Sequence, residues 1–184
     1  MKKSILTLAI LATMGVATAI AQPRAIGGQI SYGLEASYEH SVGNNFVTVD
    51  LGLNDVFVRG IGISAMATYN WLNPFGADFP TVSQGDWNWY MGVGLAAGGN
   101  FKHYYNYKSG DTNVSVWHNY GYVGAAGRIG VEYNFWFPLQ LSAEWRPVVG
   151  PRFGYNYYKG NTDPSFYEDG LWLGGIVIGV RYKF

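Results

Sequence analysis

The chain has 184 residues with 12 Lys+Arg against 12 Asp+Glu, enough for one domain and too evenly charged to suggest a nucleic-acid partner. It has no cysteine, which excludes disulfides and thiolate metal sites. Only 13% of residues are charged and 17% aromatic, with 26 Gly, 15 Tyr and a mean hydropathy near zero, which suits a sheet with alternating faces better than a bundle of membrane helices.

The first 21 residues read as a signal peptide. Lys2 and Lys3 form a positive start, Ile5 to Ala21 is an apolar run, and Ala19-Ile20-Ala21 fits a small-x-small cleavage site before Gln22. The run is short of the ~20 residues that span a bilayer as a helix. Without Lys2 and Lys3, 10 basic residues face 12 acidic ones, a net charge of −2. Residues 22–184 then form the barrel domain derived below.

Alternation begins at Ile26. Through His40, the residues Ile26, Gly28, Ile30, Tyr32, Leu34, Ala36 and Tyr38 share one face, with Gly27, Gln29, Ser31, Gly33, Glu35, Ser37 and Glu39 on the other. Ser41 to Asn45 is a turn. Val47, Val49, Leu51 and Leu53 then oppose Thr48, Asp50 and Gly52, and after a connection from Asn54 to Gly60, Ile61 to Trp71 repeats the pattern. Leu72 to Asp86, with Pro74 and Pro80, reads as a loop.

From Trp87, the residues Trp89, Met91, Val93, Leu95, Ala97 and Phe101 oppose Asn88, Gly92, Gly94 and Gly98. Lys102 to Tyr120 reads as a long polar loop around Ser109-Gly110-Asp111. Strand residues resume near Tyr122, placing Val123, Ala125, Ile129, Val131, Tyr133 and Phe135 opposite Arg128, Glu132 and Asn134. Trp136-Phe137-Pro138 is a tight connection to Leu139–Arg146, and Pro147 to Gly170 reads as a second long loop. Leu171 to Phe184 closes the chain with Trp172, Gly174, Ile176, Ile178, Val180, Tyr182 and Phe184 on a wholly apolar face.

Every strand charge falls on the polar face: Glu35, Glu39, Asp50, Arg128, Glu132, Glu144, Arg146, Arg181 and Lys183. A soluble barrel would place charges outside. A barrel in lipid must not, because Arg or Lys facing the bilayer midplane costs roughly 2–4 kcal/mol. Lipid also forbids an open sheet edge, so the strands must close. Seven segments are clear, and an even number requires an eighth. The preferred source is a fold-back of Ile26–His40 near Gly33; a short strand within Phe153–Tyr158 is the alternative. The expected fold is therefore all-β, a transmembrane up-and-down antiparallel barrel of about eight strands with a polar, salt-bridged interior. Trp71, Trp87, Phe135, Tyr182 and Phe184 should gather at one rim, with Phe101 and Trp172 near the other.

The alternating Gly-rich strands, GRIGVEYNFWFPLQLSAEWRP from Gly127 to Pro147, and the terminal GVRYKF resemble the small outer-membrane barrels of the OmpX and OmpA-transmembrane-domain type of Gram-negative bacteria. The resemblance covers essentially the whole mature chain. It implies a closed eight-stranded barrel in the outer membrane with a polar interior and no open pore, and it does not imply an enzyme. Val180, Tyr182 and Phe184 would form the insertion signal. Partners would be outer-membrane lipid, the barrel-assembly machinery during insertion, and an extracellular or host partner of unknown identity. Adhesion, immune evasion or envelope integrity is the role suggested for some members.

Three groups of residues are candidates for chemistry. The interior charges should pair, since an isolated buried charge costs several kcal/mol. With Trp136 at the centre of its turn, Arg128 lies opposite Glu144 and Glu132 opposite Gln140; a register shifted by two sets Arg128 against Arg146 and is disfavoured. His103, Tyr104, Tyr105 and Tyr107, with Tyr155, Tyr157 and Tyr158, form the best binding candidates, because Tyr supplies rigid contact area. His103 and His118 flank Ser109, Asp111 and Ser115, but no motif orders them as base and nucleophile. No third ligand accompanies them, so neither a metal nor a cofactor is expected. The residues favour a structural or surface-interaction barrel. An outer-membrane lipid-modifying enzyme comes second, and a soluble periplasmic ligand-binding barrel third.

Overall fold

The computed structural model describes residues 22–31, 33–54, 61–75, 85–109, 112–156, 161–166 and 174–184, with side chains described outside 102–120 and 154–166. The proposed signal peptide, 1–21, lies outside the described residues. In chain order the strands are β1 (Pro23–Ile30), β2 (Gly33–Val42), β3 (Asn45–Asn54), β4 (Ile61–Pro74), β5 (Gly85–Ser109), β6 (Thr112–Phe135), β7 (Leu139–Trp145), β8 (Val148–Val149), β9 (Pro151–Asn156), β10 (Asn161–Phe166) and β11 (Ile176–Lys183).

Sequence-adjacent strands pair antiparallel from β1 to β7, and β1 also pairs with β11, so the sheet closes. β7, β8 and β9 lie along β6 in one register, through Ile129↔Trp145, Ala125↔Val149 and Tyr122↔Arg152. They form one stave, interrupted at Pro147, whose carbonyl still accepts from Gly127 N at 2.8 Å. β10 and β11 follow each other along its far edge. The barrel therefore has eight staves, as expected, and the first two arise where the chain folds back between Ile30 and Leu34. Gly43, at φ 60°, turns β2 into β3 in a conformation that side chains resist.

Following ladder partners round the barrel from Ser64, through Gly52, Glu35, Gln29, Gly179, Ser142, Glu132 and Asn88, returns to β4 at Pro74. The stagger is ten residues, from position 64 to position 74. An eight-stranded barrel has an interior just wide enough for its own side chains.

Alternation sorts the side chains as the sequence implies. Ile30, Leu51, Leu53, Ile63, Val93, Leu95, Ile176 and Ile178 stand on the outside, each at least half exposed. Among the described side chains, Asp86 is the charged residue that is exposed, and it sits at the rim where β1 starts and β11 ends, the termini rim of the barrel. Ring contacts link Tyr69–Trp71, Trp87–Tyr133, Tyr133–Phe135, Phe135–Phe137 and Tyr182–Phe184 around the same rim. Phe101 is exposed beside Ile61 near the opposite rim; Trp172 lies outside the described residues.

Two expected loops are largely strand. The β4–β5 ladder ends at Ile61↔Phe101, but the β5–β6 ladder continues to Ser109↔Thr112. Lys102–Tyr120 is thus a projecting hairpin, and within Pro147–Gly170 the strands β8, β9 and β10 extend the same sheet in the order β10-β9-β6-β5. The Tyr, Val and Trp of these segments favour strands more than their polar neighbours oppose them. The loop expected over Leu72–Asp86 also shortens, since β4 runs to Pro74 and β5 starts at Gly85.

Candidate functional site

The barrel is filled by an ion-pair network. Its centre is Arg128, 1% exposed, whose guanidinium binds Asp50 and, at 3.0 Å, Glu144. Arg146 binds Glu35 at 2.7 Å and the same Asp50 oxygen at 3.3 Å. Arg181 donates to Ser37 and Ser142 at 3.0 and 2.7 Å and faces Glu39 at 3.4 Å and Glu144 at 3.6 Å. Gln29 and Tyr90 each donate to Glu144 at 2.9 Å. Each carboxylate is thus shared by several donors, which offsets the several kcal/mol that each buried ion would otherwise cost.

The Arg128–Glu144 contact forms, but in the register that was disfavoured. Gly130 faces Glu144 and Glu132 faces Ser142, so Phe137, not Trp136, centres the turn. Continued by one rung, this register sets Arg128 across from Arg146. Asp50, reaching in from β3, bridges the two guanidiniums and removes the repulsion. A single strand pair does not show this contact, because the narrow interior lets a third strand take part.

Toward the termini rim the network ends in residues that the alternation did not single out. Arg24 shares the parity of outward Ile26, but a bulge between Pro23 and Ala25 turns it inward. There it binds Glu39 and Glu132 and lies 4.1 Å over the Phe46 ring. Phe46 packs edge-on against Tyr90 at 5.3 Å, and both are fully buried. Glu132 also accepts from Gln140, Asn88 and Asn134. Lys183 lies on the inner face as expected, but at the mouth rather than in the network: half-buried, it donates to the Phe135 carbonyl at 3.2 Å and lines a cavity of about 520 Å³ with Arg24, Asp86, Asn88 and Asn134. Four arginines thus meet five carboxylates: Glu35, Glu39, Asp50, Glu132 and Glu144.

On the other side of the network, Met66, Ala96, Ala126, Val148 and Tyr122 pack as an apolar layer. Glycines make room for the large inner side chains. A Cβ on Gly130 would lie 2.5 Å from the Tyr90 ring, and one on Gly92 2.1 Å from the Asn70 amide.

The binding candidates His103, Tyr104, Tyr105 and Tyr107 belong to the projecting part of β5, and Tyr155 to β9. Tyr157 and Tyr158 lie outside the described residues. Val180, Tyr182 and Phe184 share the exposed outer face at the termini rim.

Fold and interior together define a closed eight-stranded antiparallel β-barrel with an ion-paired core and a sheet that projects from one end. No family model, curated protein or solved structure matches the chain.

Proposed function

We propose that this protein is an integral outer-membrane barrel with a structural or surface-interaction role and no open pore, akin to the OmpX and OmpA-transmembrane-domain type. The observation that carries the reading is the sorting of faces: Leu95 and Ile176 are 68% and 72% exposed, while Arg128, Glu132 and Arg181 are each 1% exposed. Water as the outer solvent would favour the reverse, whereas lipid requires this order. The aromatic ring at the termini rim suits a membrane interface. In this reading the rim with both termini is periplasmic and the projecting sheet is extracellular.

The experiment is membrane fractionation followed by a heat-modifiable gel shift. The protein is expected to resist a carbonate wash and to migrate faster unheated than boiled. Release by carbonate without a shift would instead favour a soluble barrel.

The ion-paired interior supports a plug rather than a path for ions. Planar-bilayer recordings should give no steady conductance; a steady current abolished by Glu144→Ala would contradict the plug. The projecting sheet supports surface interaction, because strand edges above the barrel can pair with an extended partner. Replacing residues 103–118 with a tight turn should preserve the gel shift and abolish binding to host matrix or cells. Unchanged binding would remove the sheet from the interaction.

A further inference from the structure

The mouth at the termini rim holds two opposite charges that do not pair with each other. Asp86 and Lys183 line the same cavity of about 520 Å³. The Lys183 ammonium donates to the Phe135 carbonyl at 3.2 Å, which uses one of its three N–H groups. The Asp86 side chain is exposed and has no partner among the described residues. Two neutral acceptors stand beside it. Asn88 and Asn134 donate from their amide nitrogens to Glu132 at 3.1 and 2.8 Å, which leaves the amide oxygen of each as an acceptor. Asn134 is also the ladder partner of Asp86. Arg24 lines the cavity too, but Glu39 and Glu132 already hold its guanidinium.

We propose that this mouth is a binding site for a small zwitterion of the peptide class, with Asp86 and Lys183 as its two charged contacts. The ligand ammonium pairs with Asp86 and donates to the amide oxygens of Asn88 and Asn134. The ligand carboxylate accepts from the two remaining Lys183 N–H groups. Phe75 and Trp87, joined by a backbone hydrogen bond of 3.1 Å, give the cavity an aromatic border for the apolar part. A ligand of one sign would leave either Asp86 or Lys183 without a partner once water is displaced, and an unpaired desolvated charge is costly. A zwitterion satisfies both. The cavity falls within the ordinary range of small-ligand sites, about 300–1,000 Å³. The chemistry rests on the mouth itself and holds whichever solvent surrounds the barrel wall.

The test uses the full chain folded in detergent and three probes titrated by calorimetry: trialanine, N-acetyl-trialanine and trialanine amide. Trialanine should bind saturably with one site per chain. Each blocked probe should bind about ten-fold more weakly, the loss expected for one charge-assisted contact. Asp86→Asn should bind trialanine no better than the N-acetyl form while still preferring it to the amide. Lys183→Gln should show the opposite pattern. The heat-modifiable gel shift checks that each variant is folded, and Lys183→Met replaces any glutamine variant that loses the shift. The chain whose residues 103–118 are replaced by a tight turn should bind as the wild type does, because the change lies at the far end of the barrel. No saturable binding of trialanine, equal affinity for the three probes, or an unchanged preference in Asp86→Asn would overturn the proposal.

Discussion

Arg128 shows what one residue contributes when the interior is only a side chain wide. It holds Asp50 and Glu144 at once, and its removal leaves both acids short of a partner. Arg128→Met should therefore destabilise the folded barrel by about 3–5 kcal/mol in urea-unfolding measurements. The double change of Arg128→Met with Glu144→Gln should cost less than the sum of the two single changes. Gly130 is the steric counterpart. Gly130→Ala should cost about 1–3 kcal/mol by crowding Tyr90, and Tyr90→Leu in the same chain should recover part of that loss. The inner charges were legible from parity alone, because a strand has only two faces. Arg24 was not, since parity placed it outside and only the bulge at Pro23–Ala25 reversed it. Nor was Asp50 as the bridge between Arg128 and Arg146, because strand pairs read two at a time do not show a third strand across the lumen.

At the scale of elements, alternation located seven segments and the even strand number divided the first of them into two staves, but the pattern misjudged where the sheet stops. Lys102–Tyr120 mixes Tyr and Asn with charges, and its polarity resembles a loop. Beyond the closed barrel neither face needs to be apolar, so the binary pattern that marks a strand disappears while the β-formers remain. The fold-back expected near Gly33, and found between Ile30 and Leu34, was legible for the opposite reason: eight staves need two strands before the Ser41–Asn45 turn. Because the projecting hairpin shares no rung with β4 beyond Phe101, the barrel should stand without it. Replacing residues 103–118 with a tight turn should leave urea-unfolding stability within about 1 kcal/mol, in line with changes away from packed sites. A larger loss would show that the projecting sheet supports the barrel.

For the whole molecule, the outer surface provides the sharpest test. Leu95 lies mid-strand on the outer face, with Ala67 on one side and Ala125 on the other. Leu95→Arg should destabilise the protein by roughly 2–4 kcal/mol in lipid vesicles. In water the same substitution at an exposed site would stay within about 0.5 kcal/mol. Unchanged stability in vesicles would remove lipid from the account of this surface. Closure itself was legible, since an apolar outside leaves no solvent for an open edge. The ten-residue stagger was not, because it depends on turn geometry at every corner, and the Trp136–Pro138 turn is centred on Phe137, one residue beyond the expected Trp136.

The seam between β1 and β11 has one more consequence. Ala25 faces Lys183, and Phe184 N donates to the Arg24 carbonyl at 3.1 Å, so the two ends of the barrel meet like a hairpin without its turn. This is the least local pairing in the molecule, and the entropy of bringing such distant segments together makes it slow to form. Until it forms, two strand edges remain open to mispairing. Yet a peptide bridge of a few residues could join Gln22 to Phe184 without disturbing a stave. In a chain without residues 1–21, such a bridge would turn the slowest closure into a local one, so the seam between β1 and β11 is also where the barrel wall is most readily made continuous.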